Sequence, residues 1–425
     1  MAKLDLLLGL QWGDEGKGKV VDTLTPNYDI VCRFQGGPNA GHTIKFDGKK
    51  FVLHTIPSGI FNDKCINVIG NGAIVDAKIF KDEVDGLTAA EVDVMGRLLV
   101  SSRTHLIVPT HRALDAANEK ALGKMKIGST LKGIGPTYTD KTARRGLRVG
   151  DIMSPDFRNR YENLKARHLQ EIKNLDFDIN TLTLDGMSFD EYEKVWFDAI
   201  DFMKKFKVVE SEYYINKALD EGKKILAEGA QGSMLDVDFG SYPFVTSSST
   251  MAAGVCSGLG VAPSRVGKVF GIFKAYCTRV GTGPFPTELF DETGEQLRRN
   301  GHEFGATTGR PRRTGWLDIP ALKYACMLSG VTDLMMMKSD VMNDIKEIKV
   351  CIGYEYDGKV IDYLPFDACT ETMKPVYETL PGWNCEIDGN IPVKLEEYIK
   401  YIEKKVGVPV RLVSYSPDRN ANIYR

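Results

Sequence analysis

The chain has 425 residues and a formal net charge of −2, with 43% hydrophobic and 26% charged residues. This composition indicates a globular protein with a large core, and it argues against a nucleic-acid binder whose whole surface carries the affinity. No apolar run reaches membrane-spanning length, and the N-terminus lacks the pattern of a signal peptide. The eight cysteines include no C-x-x-C pair, and the histidines show no metal-ligand spacing. We therefore expect a cytoplasmic protein with reduced thiols.

The first predicted element is a buried strand that ends at Leu10 and leads into a glycine-rich loop. Residues 13–20 follow the phosphate-loop pattern G-x-x-x-x-G-K-[ST] up to the last position, where Val20 replaces the hydroxyl. Backbone N–H groups, the N-terminus of a helix expected near Lys19, and the charge of Lys17 together predict a phosphate cradle. The alternative is a plain Gly/Asp turn between two elements.

Asp14, inside this loop, is a candidate Mg²⁺ ligand, since the missing hydroxyl obliges the metal to find another oxygen. A second strand, Asp29 to Phe34, runs into another glycine-rich loop, Gln35 to Thr43. Because parallel sheets bind ligands at the carboxyl ends of their strands, both loops are expected to face one crevice. His42 in that crevice is a candidate acid, although a lone histidine is more often structural.

The middle of the chain is predicted to be mostly helical, and we expect it to form an insertion at roughly 75–222 in a single α/β domain, residues 1–425. A strand is predicted at Leu106 to Pro109, within helical sequence from Val75 to Leu122. The loop Ile127 to Tyr138 and the basic run Lys141 to Arg148 indicate either anion contact or a solvated face. Further helices are predicted at Ser154 to Lys173, Ser188 to Phe206, with a Ser188/Glu191 capping box, and Glu210 to Asp220.

Polar segments also follow the strands predicted in the C-terminal half. The strand Lys224 to Ala227 ends in Glu228 to Gly232. The segment Asp236 to Thr250, with its cluster of hydroxyl groups, could bind a phosphate monoester or have no function. After a strand predicted from Val269 to Val280, three arginines between 304 and 316 indicate either carboxylate and phosphate binding or a nucleic-acid patch.

The stretch Asp333 to Asp340 indicates a buried strand that ends in a K-x-D sequence, Lys338-Ser339-Asp340. In GTP-binding proteins such a sequence recognises guanine. A carboxylate accepts from guanine N1–H and the 2-amino group, a pair that adenine lacks, while the lysine stem covers the ring. The last predicted strand, Pro409 to Ser414, ends near the same crevice.

Six segments taken together closely resemble the adenylosuccinate synthetase family. They are Gln11 to Lys19, Gly37 to Thr43, Ile134 to Pro136, Glu228 to Gly232, Tyr242 to Ser248 and Gly309 to Trp316. The resemblance implies GTP-dependent ligation of IMP and L-aspartate with Mg²⁺, by way of 6-phosphoryl-IMP, as the first committed step of AMP formation. It also implies a homodimer whose fold is α/β, with a large, mostly parallel central sheet flanked by helices.

The resemblance further implies roles for individual residues. Asp14 is implied as general base, His42 as general acid, and Lys17 and Gln231 as further catalytic groups, with Mg²⁺ held by Asp14 and the Gly41 carbonyl. The implied IMP contacts are Asp14, Glu15, Gly16, Lys17, Asn39, Ala40, Gly41, His42, Thr130, Gln231, Thr246, Arg310 and, from the second subunit, Arg144. The implied aspartate contacts are Ala306, Thr307, Thr308, Gly309, Arg310, Pro311 and Arg312. The implied GTP contacts are Gly13, Asp14, Glu15, Gly16, Lys17, Gly18, Lys19, Gly41, His42, Thr43, Arg312, Lys338, Ser339, Asp340, Ser414, Tyr415 and Ser416.

This sequence departs from the family pattern at two positions. Met337 stands where the family often has threonine, and Pro311 divides an arginine run that is continuous in many members. The alternative functions are a regulatory GTPase and an RNA-binding protein. A GTPase normally keeps Ser or Thr at position 20 and needs no acid-base pair, whereas an RNA-binding protein is expected to be basic overall.

Overall fold

A ten-stranded sheet lies at the centre of the computed structural model, which describes residues 2–46, 48–123, 126–304, 311–366 and 373–425. In spatial order its strands are β11 (Lys207–Val209), β7 (Leu98–Ser101), β5 (Ile66–Ile69), β2 (Ile30–Arg33), β12 (Ile225–Glu228), β1 (Leu4–Gly9), β13 (Val266–Lys274), β17 (Asp333–Met337), β21 (Val410–Ser414) and β22 (Asn422–Tyr424). Neighbouring strands are parallel except β21 and β22, which are antiparallel. The predicted α/β class with a large, mostly parallel sheet is confirmed.

The central strands are nearly continuous apolar runs because both faces of the sheet are covered. In β1, the fully buried Leu6 belongs to one hydrophobic cluster, whereas its neighbour Leu7 points to the opposite face. There Leu7 packs in a second cluster with Val20 and Val21 of helix α1 (Lys17–Leu24). Alternate side chains of one strand therefore enter two different cores, which fixes the strand between layers of helices.

The helices of the described ranges surround this sheet. After α1 they are α2 (Ala77–Ala89), α3 (Pro109–Leu122), α4 (Ile134–Thr142), α5 (Phe157–Asn174), α6 (Phe189–Met203), α7 (Ser211–Asp220), α8 (Ala253–Leu259), α9 (Glu292–Asn300), α10 (Ile319–Ser329) and α11 (Val393–Val406). The predicted capping box begins α6, with Ser188 accepting from the Glu191 N–H. Within the described residues, no helix combines the length and apolar character that a membrane span requires.

Smaller sheets lie around the main one, and two sequence-based boundaries prove wrong. The strand predicted from Val269 to Val280 is two strands, β13 and β14 (Cys277–Arg279), in different sheets. The loop predicted from Ile127 to Tyr138 ends earlier, because α4 begins at Ile134. The remaining strands are β3 (His42–Phe46), β4 (Lys49–Leu53), β6 (Ile74–Asp76), β8 (His105–Ile107), β9 (Thr183–Leu184), β10 (Met187–Ser188), β15 (Arg313–Gly315), β16 (Leu317–Asp318), β18 (Glu347–Tyr356), β19 (Lys359–Ile361) and β20 (Lys374–Pro381).

The region predicted as a helical insertion contains helices α2 to α7, but it also supplies β7 and β11 to the edge of the main sheet. Most of its apolar side chains, including the fully buried Trp196, belong to a further hydrophobic cluster that they share with residues between Ile44 and Ala73. The sequence did not reveal β7 or β11, since each is a short run inside helical sequence. The division of the chain into one domain with an insertion stays a prediction.

A buried polar group joins three helices of this region. Asp140 of α4 accepts hydrogen bonds from Nε2 of His111 in α3 and from Nε2 of His168 in α5, both at 2.8 Å. His111 Nδ1 in turn accepts the backbone N–H of Val108 at 3.0 Å. Protonation of His111 would therefore break an existing hydrogen bond as well as place a charge in the core. Burial, the main cause, lowers the pKa of His111 to about 4.

We expect this arrangement to make the protein sensitive to mild acid. The unfolded chain binds a proton at His111 near its ordinary pKa of about 6.5, whereas the folded chain does so only near 4, so stability falls as pH drops between these values. The free energy of unfolding, measured with urea at about pH 7 and about pH 5, should fall by about 1–2 kcal/mol on account of His111 alone. His111→Gln should reduce this pH dependence. The exposed-residue control His302→Gln should leave it unchanged, and an equal slope in both variants would contradict the assignment.

Candidate active site

Three glycine-rich loops meet at one edge of the central sheet. They follow β1, β2 and β12, which are adjacent in the order β2-β12-β1. Because the carboxyl ends of parallel strands lie on the same side, the loops 10–16, 34–41 and 229–232 border one crevice. The turn after β17 and the end of β21 lie at the same edge, two and three strands from β1.

The loop after β1 is organised around the carboxylate of Glu15, which is fully buried. This carboxylate accepts the backbone N–H groups of Gln11 at 3.1 Å and Gly13 at 2.9 Å, and it pairs with Lys17 Nζ at 2.5 Å. A Cβ at Gly9 would lie 2.3 Å from Glu15 Oε2, so the strand must end in glycine. The Glu15 side chain, expected among the ligand contacts, thus points into the protein and shapes the loop.

Lys19 is held by the C-terminal segment of the chain. Its Nζ donates to Ser414 Oγ at 2.7 Å and to the Ser416 carbonyl at 2.8 Å. Burial lowers the pKa of Lys19 to about 8, against the opposing charges of Asp340 and Asp418. The second loop lysine therefore connects the phosphate loop to the segment after β21.

His42 lies at the start of β3, next to the N-terminus of α1. Its Nδ1 is 2.5 Å from Glu228 Oε1, and Glu228 also accepts from the backbone and hydroxyl of Ser58. Burial, with help from the charge of Arg33, lowers the pKa of His42 to about 4, while Glu228 acts in the opposite direction. Among the described residues, nothing hydrogen-bonds the buried Nε2. The contact with Glu228 therefore occupies Nδ1 of His42 and leaves Nε2 for a ligand.

Burial by itself raises the pKa of Glu228, but the hydrogen bond from His42 and the charge of Arg33 hold it below its usual value. Glu228 is thus a carboxylate that orients His42, as a third group orients a catalytic base. This role of Glu228 was not evident from the sequence. The available signal was an acidic residue in the last position of an apolar strand.

Asp14 is more exposed than its neighbours, with 42% of its side chain accessible. It has a positive φ of 58°, and its Oδ2 accepts from Arg312 Nε at 2.9 Å. The carboxylate predicted as base is therefore paired with an arginine predicted to contact aspartate and GTP, from a segment 298 residues later. The expected contacts Ala306, Thr307, Thr308, Gly309 and Arg310 lie outside the described residues.

Two residues expected to bind IMP contact each other directly. Gln231 Nε2 donates to Asn39 Oδ1 at 3.1 Å, and the buried Oε1 of Gln231 finds no partner among the described residues. Gln35 connects this pair to the hydroxyl-rich segment, since it donates to the Ala230 carbonyl and accepts from Ser248. The structure thus brings the second and third loops together.

The remaining predicted site residues fall into three groups. Ser339, Asp340, Ser414, Tyr415 and Ser416 lie together, with Ser339 Oγ donating to the Ser414 carbonyl at 2.9 Å, and burial raises the pKa of Asp340. Thr130 and Arg144 are exposed. Gly16, Gly18, Ala40, Gly41, Thr43, Thr246 and Pro311 lie in or beside the loops already described.

One group of three potential metal ligands occurs within the described residues, the set His111, Asp140 and His168. Both Nε2 atoms donate to Asp140, and Arg145 also donates to this carboxylate. Three donors therefore already satisfy the Asp140 carboxylate, which favours a structural role over metal binding.

Comparison with known proteins assigns the family. The family model for adenylosuccinate synthetase matches residues 6–423. An adenylosuccinate synthetase of Bacteroides fragilis is 55% identical over 428 residues, which cover 100% of this chain and 99% of that protein. The chain belongs to the adenylosuccinate synthetase family. The corresponding protein of Cytophaga hutchinsonii is 56% identical over 429 residues, covering 99% of this chain and 98% of that one.

The fold agrees with this family. The fully ligated adenylosuccinate synthetase from Plasmodium falciparum superimposes with a TM-score of 0.91 at 35% identity, and each chain is covered completely. Membership of the adenylosuccinate synthetase family confirms the identification made from the sequence motifs. It also confirms the prediction of a GDP-forming ligase in preference to a regulatory GTPase.

Within this family fold, the approach of His42 to the phosphate loop requires glycine at position 18. A Cβ there would lie 2.9 Å from the Cβ of His42. Gly18→Ala should therefore lower the free energy of unfolding by about 1–3 kcal/mol, measured with urea. Gly86→Ala in α2 is the matched control, because its Cβ meets nothing within 4 Å and should stabilise the helix by about 0.5–1 kcal/mol. Equal stability of the two variants would show that His42 does not need this space.

Proposed function

We propose that the protein ligates IMP and L-aspartate to adenylosuccinate, with release of GDP and phosphate from GTP, through 6-phosphoryl-IMP. This is the first committed step from IMP to AMP. The observation that carries the proposal is a phosphate loop with two acid-base groups beside it, Asp14 paired with Arg312 and His42 paired with Glu228. A regulatory GTPase needs the loop and the K-x-D turn but no such groups.

The chemistry explains why both acid-base groups are needed. The 6-oxo group of a purine is a poor leaving group, so it must be activated before an amine replaces it. Asp14 accepts the N1 proton, O6 attacks the γ-phosphate of GTP in line, and the amine of aspartate then displaces phosphate at C6. The accessible carboxylate of Asp14 and the nearby charge of Lys17 support these assignments.

The geometry of His42 supports its role as acid. With Nδ1 directed at the Glu228 carboxylate, Nε2 is the atom that can meet a substrate. A bound phosphate brings negative charge, which raises the pKa of His42 from about 4 and favours the imidazolium. His42 then donates to O6 or to the transferred phosphoryl group as charge develops.

The proposal includes one Mg²⁺ held by Asp14 and the carbonyl oxygen of Gly41. Both are hard oxygen donors, the type that Mg²⁺ prefers, and the described ion pair of Asp14 uses only Oδ2. The ion supplies charge neutralisation at the phosphates during transfer. The cytoplasmic location stays a prediction from the sequence.

Most of the proposed substrate contacts are residues that lie at the carboxyl-end edge of the central sheet. Asn39, Gln231 and Thr246 contact IMP, and the segment that ends in Pro311 and Arg312 binds aspartate. Lys338, Asp340 and Ser414 to Ser416 surround the guanine of GTP. The exposed Arg144 at the end of α4 has no ion pair with any described residue, which supports a homodimer in which it reaches the IMP site of the second subunit.

The direct test is a spectrophotometric assay of adenylosuccinate formation with IMP, aspartate, GTP and Mg²⁺. Activity should require all four components, and omission of any one should abolish it. Phosphate release from GTP without IMP and aspartate would instead favour a regulatory GTPase.

Asp14→Asn should lower kcat by about 10² to 10⁴-fold, because the amide cannot accept the N1 proton. Asparagine tolerates the positive φ of this position, so the backbone should be retained. Asp201→Asn, which changes an exposed ion pair on α6, is the matched control and should keep wild-type kcat. A variant with more than about a tenth of the wild-type kcat would refute Asp14 as the base.

The proposed shared site, in which Arg144 of one subunit completes the IMP site of the other, can be tested by mixing two inactive variants. Asp14→Asn and Arg144→Asn chains are combined under conditions that allow subunits to exchange; asparagine again suits the positive φ of Arg144. One site of a mixed dimer then has both native residues, so about a quarter of the wild-type activity should return. If Arg144 serves its own subunit, every site keeps one lesion, and complete exchange without recovery would rule out the shared site.

A further inference from the structure

Glu303 is a buried carboxylate outside the residues assigned above, with 4% of the residue exposed. Its Oε1 accepts from three side chains: Lys338 Nζ at 2.7 Å, Tyr276 Oη at 2.5 Å and Lys274 Nζ at 3.2 Å. The two lysines follow different strands, since Lys274 ends β13 and Lys338 comes directly after β17. One carboxylate therefore joins two neighbouring strand ends at the edge that carries the site.

The main chain of Glu303 is held from both sides. Its N–H donates to the Arg298 carbonyl at 3.0 Å, and its carbonyl accepts from the Arg312 N–H at 2.8 Å. Lys338 Nζ also donates to the Gly301 carbonyl at 2.9 Å. Because Glu303 is anchored at its backbone, the position of its carboxylate is set, and the lysine amine adapts to it.

The charges explain why this carboxylate matters to Lys338. Lys274 is fully buried, and this burial lowers its pKa. The charge of Glu303 opposes the shift, and the charge of Lys338 adds to it. Burial by itself raises the pKa of Glu303, but the charges of Lys274 and Lys338 hold it at about 2. Without the negative charge of Glu303, the ammonium groups of Lys274 and Lys338 would face each other in a poorly solvated place. Lys338 is partly exposed, so it is the one of the two that is free to move away.

We propose that Glu303 is a positioning residue for guanine-nucleotide binding, which fixes the stem of Lys338 where the purine base must lie. The inference rests on the proposed function, because it takes Lys338 and Asp340 as the base-recognition turn. Lys338 has a positive φ of 56° in this turn, so its side chain leaves a constrained backbone and the amine contact to Glu303 sets the far end. A stem fixed at both ends presents one flat apolar surface to a base.

The test measures the Kd of GDP and of IMP by calorimetry for the wild type and for Glu303→Gln. Loss of the charged contact should weaken GDP binding about tenfold and leave the Kd of IMP within about twofold. Glu292→Gln, which removes an exposed carboxylate paired with Arg299 on α9, is the matched control and should bind both ligands like the wild type. An unchanged Kd for GDP in Glu303→Gln would overturn the proposal.

A double-mutant cycle separates positioning from general support of the fold. If Glu303 acts through Lys338, then in a Lys338→Met background Glu303→Gln should raise the Kd of GDP by less than about twofold. Full additivity of the two losses would overturn the proposal. If Glu303→Gln does not fold, Glu303→Asp serves instead. It keeps the charge but withdraws the carboxylate by about 1.5 Å, so GDP binding should still weaken; wild-type affinity in Glu303→Asp would overturn the proposal.

The two proposals fail in distinguishable ways. A wild-type protein that binds GDP but forms no adenylosuccinate would refute the proposed function and leave the role of Glu303 open to the same binding test. A wild-type protein that is active, with Glu303 variants that bind GDP normally, would refute the role of Glu303 alone.

Discussion

The burial of the Glu15 carboxylate is the constraint on which the site depends. A carboxylate that is fully removed from water must find donors, and Glu15 finds them in two loop N–H groups and Lys17. The space for it exists because a Cβ at Gly9 or Gly232 would lie within 2.4 Å of its oxygens. The Glu15 side chain thus sets the conformation of the phosphate loop, the end of β1 and the approach of the loop after β12.

The same principle recurs across the crevice, where each charged group is held by a partner from a different loop. Glu228 holds His42, Arg312 holds Asp14, and the segment after β21 holds Lys19. For the buried pair of His42 and Glu228, removal of one partner costs about 3–5 kcal/mol, although apolar residues could stabilise the same fold equally well. The partly exposed pair of Asp14 and Arg312 contributes little to stability. These pairs therefore serve orientation more than stability. In the proposed mechanism they place acid, base and cation before a substrate arrives, which reduces the reorganisation needed during reaction.

The helical region between β6 and β12 has a different part in this arrangement. It supplies most of one hydrophobic cluster, and the Asp140 network joins α3, α4 and α5 within it. Arg144 comes two residues after the last residue of α4, so the position of that helix determines where the arginine leaves the surface. In the middle of α4, Tyr138 donates to the Gly72 carbonyl and accepts from the Gly36 N–H, next to the second glycine-rich loop. One short helix thus contacts the crevice of its own chain and presents an arginine outward.

Local patterns in the sequence were sufficient for the elements and for much of the chemistry. Apolar runs predicted β1, β2, β12, β17 and β21, the first three of them followed by glycine-rich loops, and the phosphate loop and the K-x-D turn follow from short motifs. These succeed because strand burial, turn conformation and capping depend on residues a few positions apart. The break between β13 and β14, the start of α4 and the strands β7 and β11 escaped prediction because the position of neighbouring elements decided them.

Only the tertiary structure decided which charges meet. His42 and Glu228 are separated by 186 residues and Asp14 and Arg312 by 298, so no periodicity relates them. Glu228, Glu303 and Glu15 look alike in the sequence, as acidic residues near glycine or apolar segments. The order of the parallel strands makes one of them the partner of an imidazole, another a support for a lysine, and the third the centre of a loop. The sequence by itself thus determined the groups that the site contains, and the packing of distant strands determined their partners, because a buried charge is stabilised by whatever lies within a few ångströms.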